Sequence, residues 1–192
     1  MELVFATNNK HKVREISDLL DDNFRILGLA DLNITEDIPE EAETLEENAL
    51  FKARYVHDKT GKNVFADDTG LEVDALGGAP GVYSARYAGE NKSFDDNIEK
   101  LLREMNGAND RNARFRTVIA LILDGTEYLF EGTVEGEITR ERRGAGGFGY
   151  DPVFLATGYE RTFAEIPLSE KNKISHRAKA MRQLLDFLNA RK

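Results

Sequence analysis

Two runs rich in β-branched and aromatic residues, 113–123 and 127–138, flank the short segment Asp124-Gly125-Thr126. Asp-Gly readily takes the positive-φ conformations of a tight turn, so the pattern predicts a long β-hairpin. A hairpin alone is marginal in water and needs further strands or covering helices. The rest of the chain supplies both. Residues 3–7, 64–66 and 153–155 read as short strands. Val13, Ile16, Leu19 and Leu20 fall at helical spacing after the loop Asn8-Asn9-Lys10. Thr44-Leu45-Glu46-Glu47 has the form of a capping box opening a second helix to about His57. A third helix is expected over 94–105, stopped near Gly107. A final one is expected behind Ser175, with the buried stripe Ala178, Met181, Leu184, Leu185 and Leu188. Helices interspersed with strands around a central hairpin predict an α/β or α+β fold with a mixed sheet. The length, 192 residues, predicts one domain over 1–192, with room for two lobes.

Composition narrows the function classes. Hydrophobic residues at 41% and charged residues at 32% are ordinary for a water-soluble globular protein. No apolar run is long enough to span a bilayer, and Met1-Glu2-Leu3-Val4-Phe5 lacks the pattern of a secretory signal. The glycosylation-like Asn33-Ile34-Thr35 is therefore without force. With no Cys there is neither disulfide nor thiolate metal site, and a cytoplasmic location is expected. The net charge of −9 argues against an extended nucleic-acid face. A phosphorylated small molecule remains allowed near the local basic clusters around Lys10–Arg14, Lys52–Arg54 and Lys171–Lys179. Any one of these clusters alone is better explained as a solvated helix face.

Asp67 and Asp68 end the apolar run Val64-Phe65-Ala66, just before Thr69-Gly70. Two adjacent carboxylates repel, and partial burial raises the cost of ionising them. A hard divalent cation such as Mg²⁺ removes both difficulties. The acidic segment with Glu40, Glu41, Glu43, Glu46 and Glu47 favours a helix start and offers a further ligand. On that helix Asn48 and Lys52, four apart, share one face. Thr7-Asn8-Asn9-Lys10-His11-Lys12 joins a strand to a helix start, where unsatisfied N–H groups favour an anion; an ordinary capped loop explains it too. The loop lacks the glycines of a Walker A motif.

Gly144-Ala145-Gly146-Gly147-Phe148-Gly149 fits G-x-G-x-x-G literally, but no helix is expected after it, which excludes a dinucleotide fold. Glycines there permit close backbone approach, and Phe148, Tyr150 and Asp151 offer rings and an acceptor to a flat ligand; a Gly-rich turn with core aromatics is an equal alternative. Ser175 reads as a cap, whereas His176 and Arg177 set donors at a helix end that prefers acids. With three His in all and no G-x-S-x-G elbow, a His metal site and a Ser-His-Asp triad are both disfavoured.

These motifs, with Glu47-Asn48-Ala49 and Gly77-Gly78-Ala79-Pro80-Gly81-Val82-Tyr83-Ser84-Ala85-Arg86, occur in one order along nearly the whole chain. In that order the chain resembles the inosine/xanthosine triphosphate pyrophosphatase family. The resemblance implies an elongated mixed sheet flanked by helices and two lobes around a deep nucleotide-binding cleft, usually in a homodimer. It implies Mg²⁺-dependent hydrolysis of ITP, dITP or XTP to the monophosphate and pyrophosphate. Thr7, Asn8, Asn9, Lys10, His11 and Lys12 would hold the phosphates, assisted by Lys52 and Lys171. Asp68 matches the catalytic base and metal ligand. Asp67 would be a second ligand or an electrostatic support. The upstream ligand would be Glu40, with Glu41 the alternative. Thr69 matches a substrate contact, Phe148, Gly149, Tyr150 and Asp151 the base-binding turn, and His176 and Arg177 the base edge. Asn8 stands where many relatives carry Gly. Rival readings are a nucleotide hydrolase of other product or base preference, and a non-catalytic nucleotide- or RNA-binding module using Phe148 and Tyr150 for stacking.

Overall fold

The computed structural model describes residues 1–20, 23–91 and 93–191. In chain order its elements are β1 (Glu2–Phe5), α1 (Lys10–Ser17), β2 (Arg25–Gly28), α2 (Leu45–Thr60), β3 (Val64–Val73) and β4 (Pro80–Gly81). They continue with α3 (Phe94–Glu104), β5 (Asn112–Leu123), β6 (Thr126–Ile138), β7 (Phe154–Ala156), α4 (Leu168–Ile174) and α5 (His176–Asn189). The fold is mixed α/β, with a sheet of order β2-β1-β3-β5-β6-β7 and β4 paired to β3. β1 runs parallel to β2 and β3, while β3–β4 and β6–β7 are antiparallel. Parallel neighbours need crossover connections, and α1 and α2 lie in them. Phe5 pairs with Phe65 across β1 and β3, and their rings stack at 4.5 Å.

The local signals operate through identifiable groups. Thr44 Oγ1 accepts the Glu47 N–H at 3.2 Å, starting α2. Gly61, at φ 64°, closes it with its N–H on the His57 carbonyl. The hairpin turn takes positive φ at both Asp124 and Gly125, 49° and 78°. Such a turn matches the twist of the flanking strands.

Two compact units, each with its own core, divide the chain. One comprises Met1–Asp68, Thr117–Gly132 and Arg177–Lys192; the other Thr69–Arg116 and Thr133–His176. Leu3, Phe5, Ile16, Phe65, Met181 and Leu184 fill the first core. Leu71, Ile98, Leu101, Phe115, Phe154 and Phe163 fill the second. On α5 the expected stripe holds, with Leu185 only partly buried. Among the described residues no helix is long and apolar enough to cross a membrane.

Several local expectations are corrected. The strand expected over 64–66 does not stop at the carboxylates; β3 continues through both to Val73. Gly70 is a strand residue, and a Cβ there would lie 2.8 Å from the Gly81 carbonyl oxygen on β4. α1 ends at Ser17, so Leu19 and Leu20 lie beyond it, packed against the core from a turn. Val13 is exposed, and the buried positions of α1 are Glu15 and Ile16. β2 and α4 are elements that the patterning did not reveal.

Candidate active site

Strand geometry separates the two adjacent carboxylates, because successive side chains on β3 point to opposite faces. Both are buried. Asp67 meets two cations: Lys12 Nζ lies 3.0 Å from Oδ1, and Arg177 Nε donates to Oδ2 at 3.1 Å. Arg177 also pairs with Glu15. Asp68 meets α2 instead. Asn48 Nδ2 donates to Asp68 Oδ2 at 3.1 Å, and Lys52 Nζ lies 3.3 Å from Oδ1. The expected shared face of Asn48 and Lys52 is thus turned inward, onto a carboxylate. Lys52 Nζ is also 2.5 Å from Glu40 Oε1. Asn48 Oδ1 accepts the Ala42 N–H at 3.0 Å, which fastens the segment carrying Glu40.

These surroundings divide the pair electrostatically. Burial pushes the Asp67 carboxyl up, but the charges of Lys12, Arg177 and Lys52 outweigh it and hold the group well below the usual carboxylate range. Burial pushes Asp68 up as well; Lys52 and Lys12 oppose this, Glu40 and Asp67 reinforce it, and the net shift is upward. Burial would lower the Lys52 ammonium, yet Asp68, Glu40 and Asp67 raise it overall. For Lys12 burial prevails over Asp67, and the shift is downward. Asp67 is an anchored anion, and Asp68 a carboxylate of raised basicity.

The loop before α1 is organised from within. Asn9 is the N-cap: its Oδ1 accepts the N–H groups of His11 at 3.0 Å and Lys12 at 3.3 Å. The Asn9 N–H in turn donates to Thr7 Oγ1 at 3.2 Å. Asn8, Lys10 and His11 are exposed. Lys12 turns its ammonium to Asp67.

Whether these groups fit a metal is decided by the donor set. Among the described residues no three His, Cys, Asp or Glu side chains form a cluster able to hold an ion by themselves. Two carboxylates, Glu40 and Asp68, do converge on one cation, the Lys52 ammonium. Two carboxylates are a donor set that fits Mg²⁺, which commonly takes one or two carboxylates and completes its shell with phosphate and water. Asp67, the other acid of the pair, has each oxygen on a cation. Glu41 is exposed, and it is Glu40 that reaches Lys52.

A second cluster lies in the other unit. Asp151 Oδ2 accepts the Phe148 N–H at 2.9 Å and the Lys171 ammonium at 2.6 Å, closing the Gly-rich turn. Lys171 and Asp151 are both buried, so Lys171 here fixes the turn. Its Nζ lies 5.0 Å from the Phe148 ring centroid, within cation–π range. Gly147 is obligatory: at φ 69°, a Cβ would stand 2.1 Å from Asp151 Oδ2. A three-residue 3₁₀ turn, Asp151–Val153, follows the motif and leads into β7, as the rejection of a dinucleotide fold requires. Tyr150 is buried and donates its hydroxyl to the Ser84 carbonyl at 2.7 Å. Its ring belongs to the core, so it is a support of the turn. His176 is buried with its ring stacked 4.6 Å from Phe115. Arg177, expected at a base edge, is committed to Glu15 and Asp67. Thr69 is partly buried beside Asp68 on β3.

Three contributors escaped sequence reasoning. Glu15 looks like a solvated helix acid, and nothing in its neighbours announces a partner at Arg177. Ser84 accepts the Leu71 N–H and donates to the Gly81 carbonyl. Asn97 accepts the Ala88 N–H and donates to the Ser84 and Ala85 carbonyls. A polar residue at an otherwise apolar helical position was the available signal for Asn97.

Comparison with known proteins decides the relationship. The profile of the Ham1 family matches residues 3–187. The chain belongs to the Ham1 family. It is 55% identical over 192 residues, all of both chains, to the dITP/XTP pyrophosphatase of Flavobacterium johnsoniae. It is also 55% identical over 188 residues to the dITP/XTP pyrophosphatase of Porphyromonas gingivalis, covering 97% of each chain. The solved Ham1 protein of Staphylococcus aureus superposes with a TM-score of 0.91 at 42% identity, covering all of both chains.

Proposed function

We propose that this Ham1-family chain hydrolyses the non-canonical purine nucleotides ITP, dITP and XTP to the monophosphate and pyrophosphate. The observation that carries the reading is the convergence of Glu40 and Asp68 on one cation, beside a capped helix start. Its support is full-length similarity to proteins named dITP/XTP pyrophosphatase.

Glu40 and Asp68 are the residues that would hold Mg²⁺, which when bound supplies charge neutralisation for the triphosphate and the departing pyrophosphate. Asp68, of raised basicity and oriented by Asn48, positions the attacking water and accepts its proton. Lys52 and the residues Thr7 to Lys12 bind phosphate oxygens and stabilise charge in the transition state. Asp67 holds Lys12 and Arg177 in place. Phe148 and its turn, stiffened by Asp151 and Lys171, receive the base. His176 is the donor that would face a six-position carbonyl, since Arg177 is held by Glu15 and Asp67. Adenine, with an amino group there, would leave such a donor unpaired, a mismatch that costs large factors in specificity.

One assay tests this. ITP, dITP, XTP, GTP and ATP are compared with Mg²⁺, scoring pyrophosphate against orthophosphate. Release of pyrophosphate from the first three, lost on chelation of the metal, is the expected outcome; equal turnover of ATP and ITP contradicts the reading. Asp68→Asn is expected to lose at least about a hundredfold in turnover with nucleotide affinity largely kept. The family setting also leads us to propose a cytoplasmic homodimer, for which light scattering should return twice the 21.6 kDa chain mass. Fractionation of cells tests the location.

A further inference from the structure

The ammonium of Lys52 lies against both carboxylates that would hold a metal. It is 2.5 Å from Glu40 Oε1 and 3.3 Å from Asp68 Oδ1, and the lysine and Asp68 are both buried. A second cation brought to the same two oxygens meets a like charge at close range in poorly solvated surroundings. The two therefore compete. Their grips differ in kind, however. Lys52 carries its charge on a flexible four-carbon stem, which moves without any backbone change. Asp68 is held by a separate group, because Asn48 donates to its other oxygen, Oδ2, at 3.1 Å. The same Asn48 holds the Ala42 N–H, two residues from Glu40. Departure of the ammonium leaves Asp68 oriented and the Glu40 segment tethered.

On these grounds we propose that Lys52 is an exchangeable internal counter-ion. It neutralises Glu40 and Asp68 in the nucleotide-free protein and disfavours free divalent metal there. It transfers to phosphate oxygens when metal and nucleotide arrive together. The proposal rests on the pyrophosphatase reading for the identity of the incoming anion, while the competition itself needs only the two carboxylates. It has an unusual sign. Loss of a residue at a metal site ordinarily weakens metal binding, whereas loss of this ammonium strengthens it.

The test is Mn²⁺ binding to the full chain without nucleotide, followed by electron paramagnetic resonance, for wild type, Lys52→Met and Lys52→Arg. A neighbouring charge moves a carboxylate's affinity for a cation by roughly a factor of ten or more, so Lys52→Met should bind Mn²⁺ about tenfold tighter, with Lys52→Arg near wild type. A gain below about threefold, or a loss, in Lys52→Met overturns the proposal. A measurement on the wild type stands in if that variant does not fold: the side-chain ¹⁵N resonance of Lys52. It should stay in place on addition of Mg²⁺ alone and move on addition of Mg²⁺ with tripolyphosphate. Movement with Mg²⁺ alone to the same position overturns the proposal. Pyrophosphate release from ITP by the wild type is scored separately. Its absence, alongside tighter Mn²⁺ binding by Lys52→Met, refutes the substrate assignment and leaves the counter-ion role standing.

Discussion

Asp67 and Asp68 are adjacent in sequence and opposite in duty, and substitution should expose the difference. Asp67→Asn leaves the Lys12 ammonium without this carboxylate in the interior and Arg177 with Glu15 in place of two acids; breaking one side of a buried pair costs about 3–5 kcal/mol. The pH dependence has a definite sign. Asp67 is depressed in the folded protein, so its contribution is complete above the unfolded value of about 4 and fades as pH falls through the lower folded value. The urea midpoints of wild type and Asp67→Asn should therefore differ most near neutrality and draw steadily closer as pH falls below about 4. A gap that does not narrow on acidification would sink this account. The adjacency of the carboxylates was legible in the sequence, and so was the Asn48–Lys52 face. Glu15 and the commitment of Arg177 were not, since the partners are separated by more than 100 positions and pairing across that distance has no local signature.

At the scale of elements, chain punctuation was the most readable feature. The Thr44 cap, the Asp124-Gly125 turn and the α5 stripe are local chemistry, and each was found where patterning put it. Gly61 supplies a clean test of such punctuation. It sits at φ 64° with open space where a Cβ would be, so Gly61→Ala meets no clash and only the left-handed penalty, about 1–2 kcal/mol. Denaturant unfolding should show that loss with turnover unchanged. Strand β3 was misjudged for a physical reason. Local propensity disfavours Asp and Gly in strand interiors, whereas ion pairs compensate both acids and the close approach of Gly81 requires Gly70. β2 escaped because its residues, mostly of intermediate exposure, show no clean alternation. α4 has no side-chain cap at Pro167 to announce it.

For the whole molecule, the net charge of −9 governs which polyanions approach. Nucleic acids require phosphate contacts from a basic face, and here the buried lysines Lys52 and Lys171 are engaged with carboxylates. Single-stranded RNA and DNA should give no anisotropy change at about 0.15 M salt, where surface electrostatics is largely screened beyond a Debye length. Tight RNA binding without nucleotide turnover would favour the binding-module alternative. Family membership was legible because six motifs kept their order over nearly the entire chain. The partition into two cores was less so, since each core is assembled from segments distant in sequence.

The Asn48 tether to Ala42 also bears on how chains of this kind can drift in length. The irregular stretch ahead of α2 is held to that helix at Glu36 by Tyr55 and Lys59, at Glu40 by Lys52 and at Ala42 by Asn48, so residues added or lost upstream of Glu36 are the ones that can be absorbed as slack. One residue inserted between Glu40 and Ala42 instead displaces the carboxylate by about 3.3–3.8 Å, the span of a single extended residue. Indels should therefore accumulate upstream of Glu36, and the count from Glu40 to Asn48 should stay fixed.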